Sequence, residues 1–198
     1  MKTLPEKILG ITQEFPEGEV LTVGSFLHLG SRSTVQRGLS RLVVGGRLFR
    51  VARGFYVSAV ASRFGVRPPA PELVVRSLAK ALDELIVVTG ASAANTLGLI
   101  TQNPVRYIYL TTGRSRELQV GKTIVTIRHA PRWLMALGPT EAGDAVRALE
   151  WLGPAWVHNA VPRLQELLPE NEWAALESAR SSFPAWIANA IRAHPAST

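Results

Sequence analysis

Cysteine is absent from this chain of 198 residues. That excludes disulfide staples, thiolate zinc sites and cysteine nucleophiles, and it accords with a reducing compartment. No uninterrupted apolar run reaches the roughly 18 residues that a membrane helix needs. The opening MKTLPEKILGITQEFP interleaves its apolar residues with charges and prolines, unlike a signal peptide. The expectation is a soluble, cytoplasmic protein with no membrane partner. Acidic side chains are fewer than basic ones over the first two thirds of the chain. Residues 1–67 carry four of them against ten basic ones, and residues 68–130 four against seven. In residues 131–198 the balance reverses, seven acidic to five basic. What is present in quantity is apolar: 46% of the chain is hydrophobic, enough for an ordinary core and too much for global disorder.

Proline and glycine punctuate the chain. Gly65-Val66-Arg67-Pro68-Pro69-Ala70-Pro71 places three prolines in four residues, which cannot continue a helix or join a central strand. It reads as an extended linker and divides the chain into domains at 1–67 and 68–198. Before it, Leu4, Ile8, Ile11 and Phe15 recur at helical spacing until Pro16 and Gly18. Val23, Phe26 and Leu27 suggest a second short helix stopped by Gly30. A third begins among Ser31, Arg32 and Ser33 and runs to Gly45-Gly46, capped either by Ser31 or by a Ser33–Gln36 capping box. LFRV and FYVS then flank Ala52-Arg53-Gly54 as a tight hairpin. After the linker come an amphipathic helix over Glu72 to Leu85 and a strand at 86–89. A short helix over Ala91 to Leu97 follows, with strands at 106–110 and 123–128 and a weaker one near Leu118 and Val120. From Thr140 onward the pattern is helical. The fold class expected is α+β: an amino-terminal winged helix-turn-helix, then a mixed α/β domain with terminal helices.

Three helices, a glycine turn before the third, and a hairpin form the winged helix-turn-helix plan, in which the third helix enters the major groove of DNA. At about 100° per residue, Val35, Leu39 and Leu42 fall within about 60° of one another and define a core face. The opposite face carries Ser33, Arg37 and Ser40, flanked by Gln36 and Arg41, with no acidic residue and no large exposed hydrophobe. Hydroxyls and arginines bond to phosphates, and arginine and glutamine also pair with base edges. Arg37 and Gln36 are therefore the candidates for base contacts, and Arg32, Ser33 and Arg41 for phosphates. Arg50 and Arg53 lie on the hairpin, placed for an adjacent minor groove or the backbone. The alternative is a winged module that docks proteins, its arginines merely solvated.

The run GEVLTVGSFLHLGSRSTVQRGLSRLVVGGRLFRVARGFYV resembles the amino-terminal domain of the AbiEi family, antitoxins of abortive-infection toxin-antitoxin pairs. The matching features are Gly30, Ser31-Arg32, Leu39-Ser40-Arg41-Leu42 and Arg53-Gly54-Phe55-Tyr56. A second block, TGASAANTLGLITQNPVRYIYLTTGRSRELQVG, is similar to the part of that family in which a short α+β domain follows. Together the blocks cover roughly residues 18–130. The resemblance implies a repressor that binds its own operator in double-stranded DNA. It also implies antagonism of a nucleotidyltransferase-type toxin without a stable toxin complex. A homodimer on DNA and a monomer both remain open.

Enzymatic signals are weak. Thr89-Gly90-Ala91-Ser92 follows a strand and enters a helix, the position of a dinucleotide phosphate loop, but Ala94 and Thr96 stand where that loop needs glycine. Close packing of small residues accounts for the same letters. His28, His129, His158 and His194 are isolated from one another in sequence, and no metal spacing appears. His28, beside the glycine turn, suits a phosphate contact or solvent. Glu170, Glu172 and Glu177 read as the solvated side of a helix. No catalytic residue, cofactor or metal is expected. All five tryptophans (Trp133, Trp151, Trp156, Trp173, Trp186) fall in the last third. Core packing is their ordinary role, and an interface for dimerisation or antitoxin function is the sharper one.

Overall fold

A computed structural model of the chain describes residues 2–101 and 106–194. It is α+β, about half helical, and ends in helices. It forms two compact units: residues 1–84 with 116–126, and residues 85–115 with 127–198. Among the described residues no helix is long and apolar enough to cross a membrane.

The first unit opens with α1 (Leu4–Thr12), begun by Pro5 and by the Glu6 carboxylate, which accepts from Thr3 N at 2.7 Å. The second short helix suggested by the sequence is a 3-10 helix, Gly24–Leu29. Six residues ending at Gly30 give too few turns for an α-helix to propagate. α2 (Arg32–Val44) follows. Of the two caps considered, Ser31 is the one used: its Oγ accepts from Thr34 N at 3.3 Å, and Ser33 lies within the first turn. Val35, Leu39 and Leu42 are buried as the spacing predicts, in a core with Ile8, Leu21, Val23, Phe26, Leu48 and Tyr56. Gly38 lets α1 approach, since a Cβ there would come within 3.2 Å of Ile8 Cδ1.

β1 (Leu48–Ala52) and β2 (Phe55–Ser58) pair antiparallel around Arg53-Gly54, with Gly54 at φ +83° as a tight turn requires. Leu21 and Tyr56 exchange backbone hydrogen bonds at 2.8 and 2.9 Å, adding a third short strand segment beside β2. A further hairpin follows, β3 (Val60–Ser62) paired with β4 (Gly65–Arg67). The first three residues of the expected linker are therefore a strand. α3 (Pro71–Leu82), closed by Asp83 in the left-handed conformation, belongs to the same unit. So does the hairpin tip of β7 (Arg116–Val120) and the first residues of β8 (Thr123–His129), where β7 lies against β1.

The compact unit thus does not end at the proline run, and the contacts across residues 17–20 say why. Val20 N donates to the buried Ser77 Oγ at 2.8 Å. Gly18, at φ +83°, sits so close to α3 that a Cβ would be 2.6 Å from Leu73 Cβ. Arg67 grips Glu17 through both guanidinium nitrogens at 2.9 and 3.1 Å, and Ala70 N donates to the same carboxylate at 3.0 Å.

In the second unit, β5 (Ile86–Val88) pairs antiparallel with β6 (Tyr107–Thr111), and β6 is followed in strand order by β8. Residues 102–105, within the second block quoted above, lie outside the described residues. α4 (Gly90–Thr96) packs against α6 (Glu141–Leu152), and α5 (Arg132–Met135) precedes the latter. α7 (Val157–Leu167), α8 (Glu170–Ser178) and α9 (Ala185–Arg192) complete the helical core around Leu149, Val161, Leu164, Leu176 and Ile187. Pro169 and Pro184 cap helices, whereas Pro162 is held inside α7. Glu172 is not simply solvated: its carboxylate accepts from Ala142 N at 2.9 Å and caps α6.

Candidate nucleic-acid interface

The exposed face of α2 is built by the same periodicity that buries its other side. Ser33, Gln36, Arg37, Ser40 and Arg41 are all exposed, as is Arg32 in the first turn. The helix delivers them together because Ser31 fixes its start, while Leu39 and Leu42 fix its rotation against the core. Ser31 Oγ lies 2.8 Å from Thr34 Oγ1 and 3.2 Å from Ser33 Oγ, a row of hydroxyls at the amino-terminal end. Arg50 and Arg53 are exposed on the separate β1–β2 hairpin, Arg50 opposite Tyr56 and Arg53 in the turn. All eight residues singled out from sequence are thus accessible, six on one helix and two on the hairpin.

Electrostatics sharpen the picture. From Val20 to Pro71 there is no acidic residue, and eight arginines lie between positions 32 and 67. Among the described residues, Arg67 is the member of that set held in an ion pair, with Glu17. The two guanidinium bonds and the Ala70 N–H hold the Glu17 carboxyl below the usual carboxylate range. Arg32, Arg37, Arg41, Arg50 and Arg53 are exposed and have no acidic partner among the described residues, the condition for counterion release on a polyanion.

Sequence reasoning missed three side chains here. Val44 is 90% exposed and falls on the α2 stripe four residues after Ser40, correcting the expectation that this face has no large exposed hydrophobe. The i+4 spacing would have revealed it. Its methyl groups suit a thymine methyl. Arg63 and Phe64 form the β3–β4 turn, with Phe64 86% exposed and the Arg63 guanidinium carbon 4.6 Å from the ring centroid. The short β3–β4 strands, reading VAS and GVR, carry too little alternation to signal a hairpin.

In the second unit Gly90 packs against α6. A Cβ at Gly90 would overlap the Arg147 carbonyl oxygen and sit 2.5 Å from Trp151 Cβ, so glycine serves the α4–α6 crossing. Arg147 is fully buried, bonded to Asp144 and to the Gly138 carbonyl. Among the described residues no three His, Asp or Glu side chains gather as metal ligands. His28 and His158 are exposed, and His129 Nδ1 lies 2.8 Å from Gly113 O. Trp173 is buried, Trp133 and Trp186 pack partly buried on the core, and Trp151 and Trp156 are 47% and 60% exposed.

A family of unknown function (DUF6088) matches residues 7–176, and the chain belongs to it. No curated protein and no solved structure matches the chain.

Proposed function

We propose that this DUF6088 member binds double-stranded DNA through its first unit, as a winged helix-turn-helix, and represses its own operon. The observation that carries this is the exposed α2 stripe of Ser33, Gln36, Arg37, Ser40 and Arg41 in a stretch without acidic residues. The order of elements supports it: a helix, a short 3-10 helix, a capped helix, then a hairpin whose second strand bonds back to Leu21. Arg37 and Gln36 read bases, Arg32, Ser33 and Arg41 hold phosphates, and Arg50 and Arg53 contact the flanking groove. Antagonism of a nucleotidyltransferase-type toxin belongs to the same proposal and rests on the AbiEi resemblance. Nuclease footprinting on DNA upstream of the gene tests the first part. One discrete protected site is expected, and uniform cleavage at saturating protein would overturn it. Co-expression with a neighbouring nucleotidyltransferase tests the second: restored growth is expected, and unrelieved toxicity would refute it.

A protein-docking role finds support in Val44 on α2 and in the exposed Trp151 and Trp156 of the second unit. It differs in predicting no preference among duplexes.

A further inference from the structure

The β3–β4 hairpin has no part in the assignments above, yet it carries the most exposed aromatic side chain among the described residues, Phe64. A large apolar side chain at a turn tip forfeits the stabilisation that burial would give it. Here it is stacked beneath an arginine, Arg63, that has no acidic partner among the described residues. An arginine beside an exposed, rigid apolar ring is the pairing that minor-groove proteins use: charge for the backbone, a wedge for the base step.

Placement agrees. β2 leads away from the Arg53-Gly54 turn, Ala59 N bonds to Arg47 O at the foot of the β1–β2 hairpin, and β3 then leads into the Arg63-Phe64 turn. The two turns lie at opposite ends of the chain from 54 to 63. The foot of the β3–β4 hairpin also adjoins the carboxyl-terminal end of α2: Val60, Ala61 and Val66 share a cavity of about 400 Å³ with Gly46 and Arg47.

We infer that the β3–β4 hairpin is a second DNA-contacting element, with Phe64 inserted as a wedge into the minor groove and Arg63 on the adjoining backbone. The occupant is duplex DNA because the stretch from Val20 to Pro71, which holds α2 and both hairpins, has eight arginines and no acidic residue, Glu17 offsetting Arg67 alone. The inference rests on the DNA-binding proposal above. Wedge insertion unstacks a base step and bends the duplex, so bending is the diagnostic signal.

The test uses the full chain and a doubly labelled duplex from the upstream region, reading affinity, salt dependence and end-to-end energy transfer. Phe64→Ala is expected to weaken binding about tenfold and to abolish most of the bend, with the salt slope unchanged. Arg63→Ala is expected to lower the slope by about 0.9, one phosphate contact. Phe64 is almost wholly exposed, so its truncation spares the core. Wild-type binding with bend and affinity unaltered in Phe64→Ala would overturn the hairpin's role and leave the α2 interface intact. A Phe64→Ala change that dissociates a dimer in sedimentation, with the bend preserved, would overturn it in favour of a second copy of the chain. A wild-type chain with no affinity for DNA would remove both proposals together.

Discussion

Single residues carry separable jobs in this chain. Arg37 points outward at the middle of the α2 stripe, so Arg37→Ala should weaken specific binding by ~1–3 kcal/mol and relax preference at one operator position. Arg53, on a turn, should weaken all sequences more evenly when removed. Competition binding against operator variants distinguishes the two, and an unchanged preference in Arg37→Ala would show that α2 presents a different face. Gly90 does structural work of the opposite kind. Gly90→Ala would press a methyl group into the Arg147 carbonyl and should lower stability by about 3 kcal/mol, measured by urea denaturation. Small residues at 90–94 are legible in sequence both as a phosphate loop and as a packing surface. Only the position of Arg147, far along the chain, separates the two.

At the level of elements, the ends of α2 and its buried stripe were legible because local rules govern them. Ser31 satisfies a free N–H, Gly45-Gly46 ends the helix, and Val35, Leu39 and Leu42 repeat at the helical period. The short helix at 24–29 was legible from Val23, Phe26, Leu27 and Gly30 though its 3-10 form was not, and the β3–β4 hairpin was not legible. The hairpin combines local bonds from Ser62 to Phe64 and Gly65 with a contact distant in sequence. Arg67 shows this for β4: its strand is secured by Glu17, fifty residues away. That pair has a pH signature. The folded-state carboxyl of Glu17 titrates below its unfolded value of about 4.3, so its stabilisation is present above that pH and is lost as pH falls through the lowered folded value. Denaturation midpoints of wild type and Glu17→Gln should differ at pH 7 and converge as the pH falls through the lowered folded value. A constant difference across that range would contradict the assignment.

For the whole molecule, the contrast between composition and contacts is instructive. Three prolines in four residues suggested a boundary at 67, but α3 packs back on residues 17–20 through Ser77 and Leu73. Those tertiary contacts leave no trace in local periodicity. Ser77→Ala, which strips Val20 N of its acceptor, should destabilise the chain by ~1–3 kcal/mol in urea. A shift below a few tenths of a kcal/mol would mean that α3 contributes little to the first unit. Charge distribution, by contrast, was fully legible, and the DNA proposal stands or falls with it. Arg32, Arg41, Arg50 and Arg53 each have a free guanidinium for a phosphate. Four contacts give a log–log salt slope near about −3.6 for a monomer and about twice that for a dimer. Base contacts should add a preference of at least ~10³ for operator over random duplex. The decisive measurement is therefore a titration of the full chain against labelled upstream DNA and a scrambled duplex of equal length, at several salt concentrations. A steep slope on both with tight preference for the upstream sequence is the predicted result, and equal affinity for the two duplexes would contradict it.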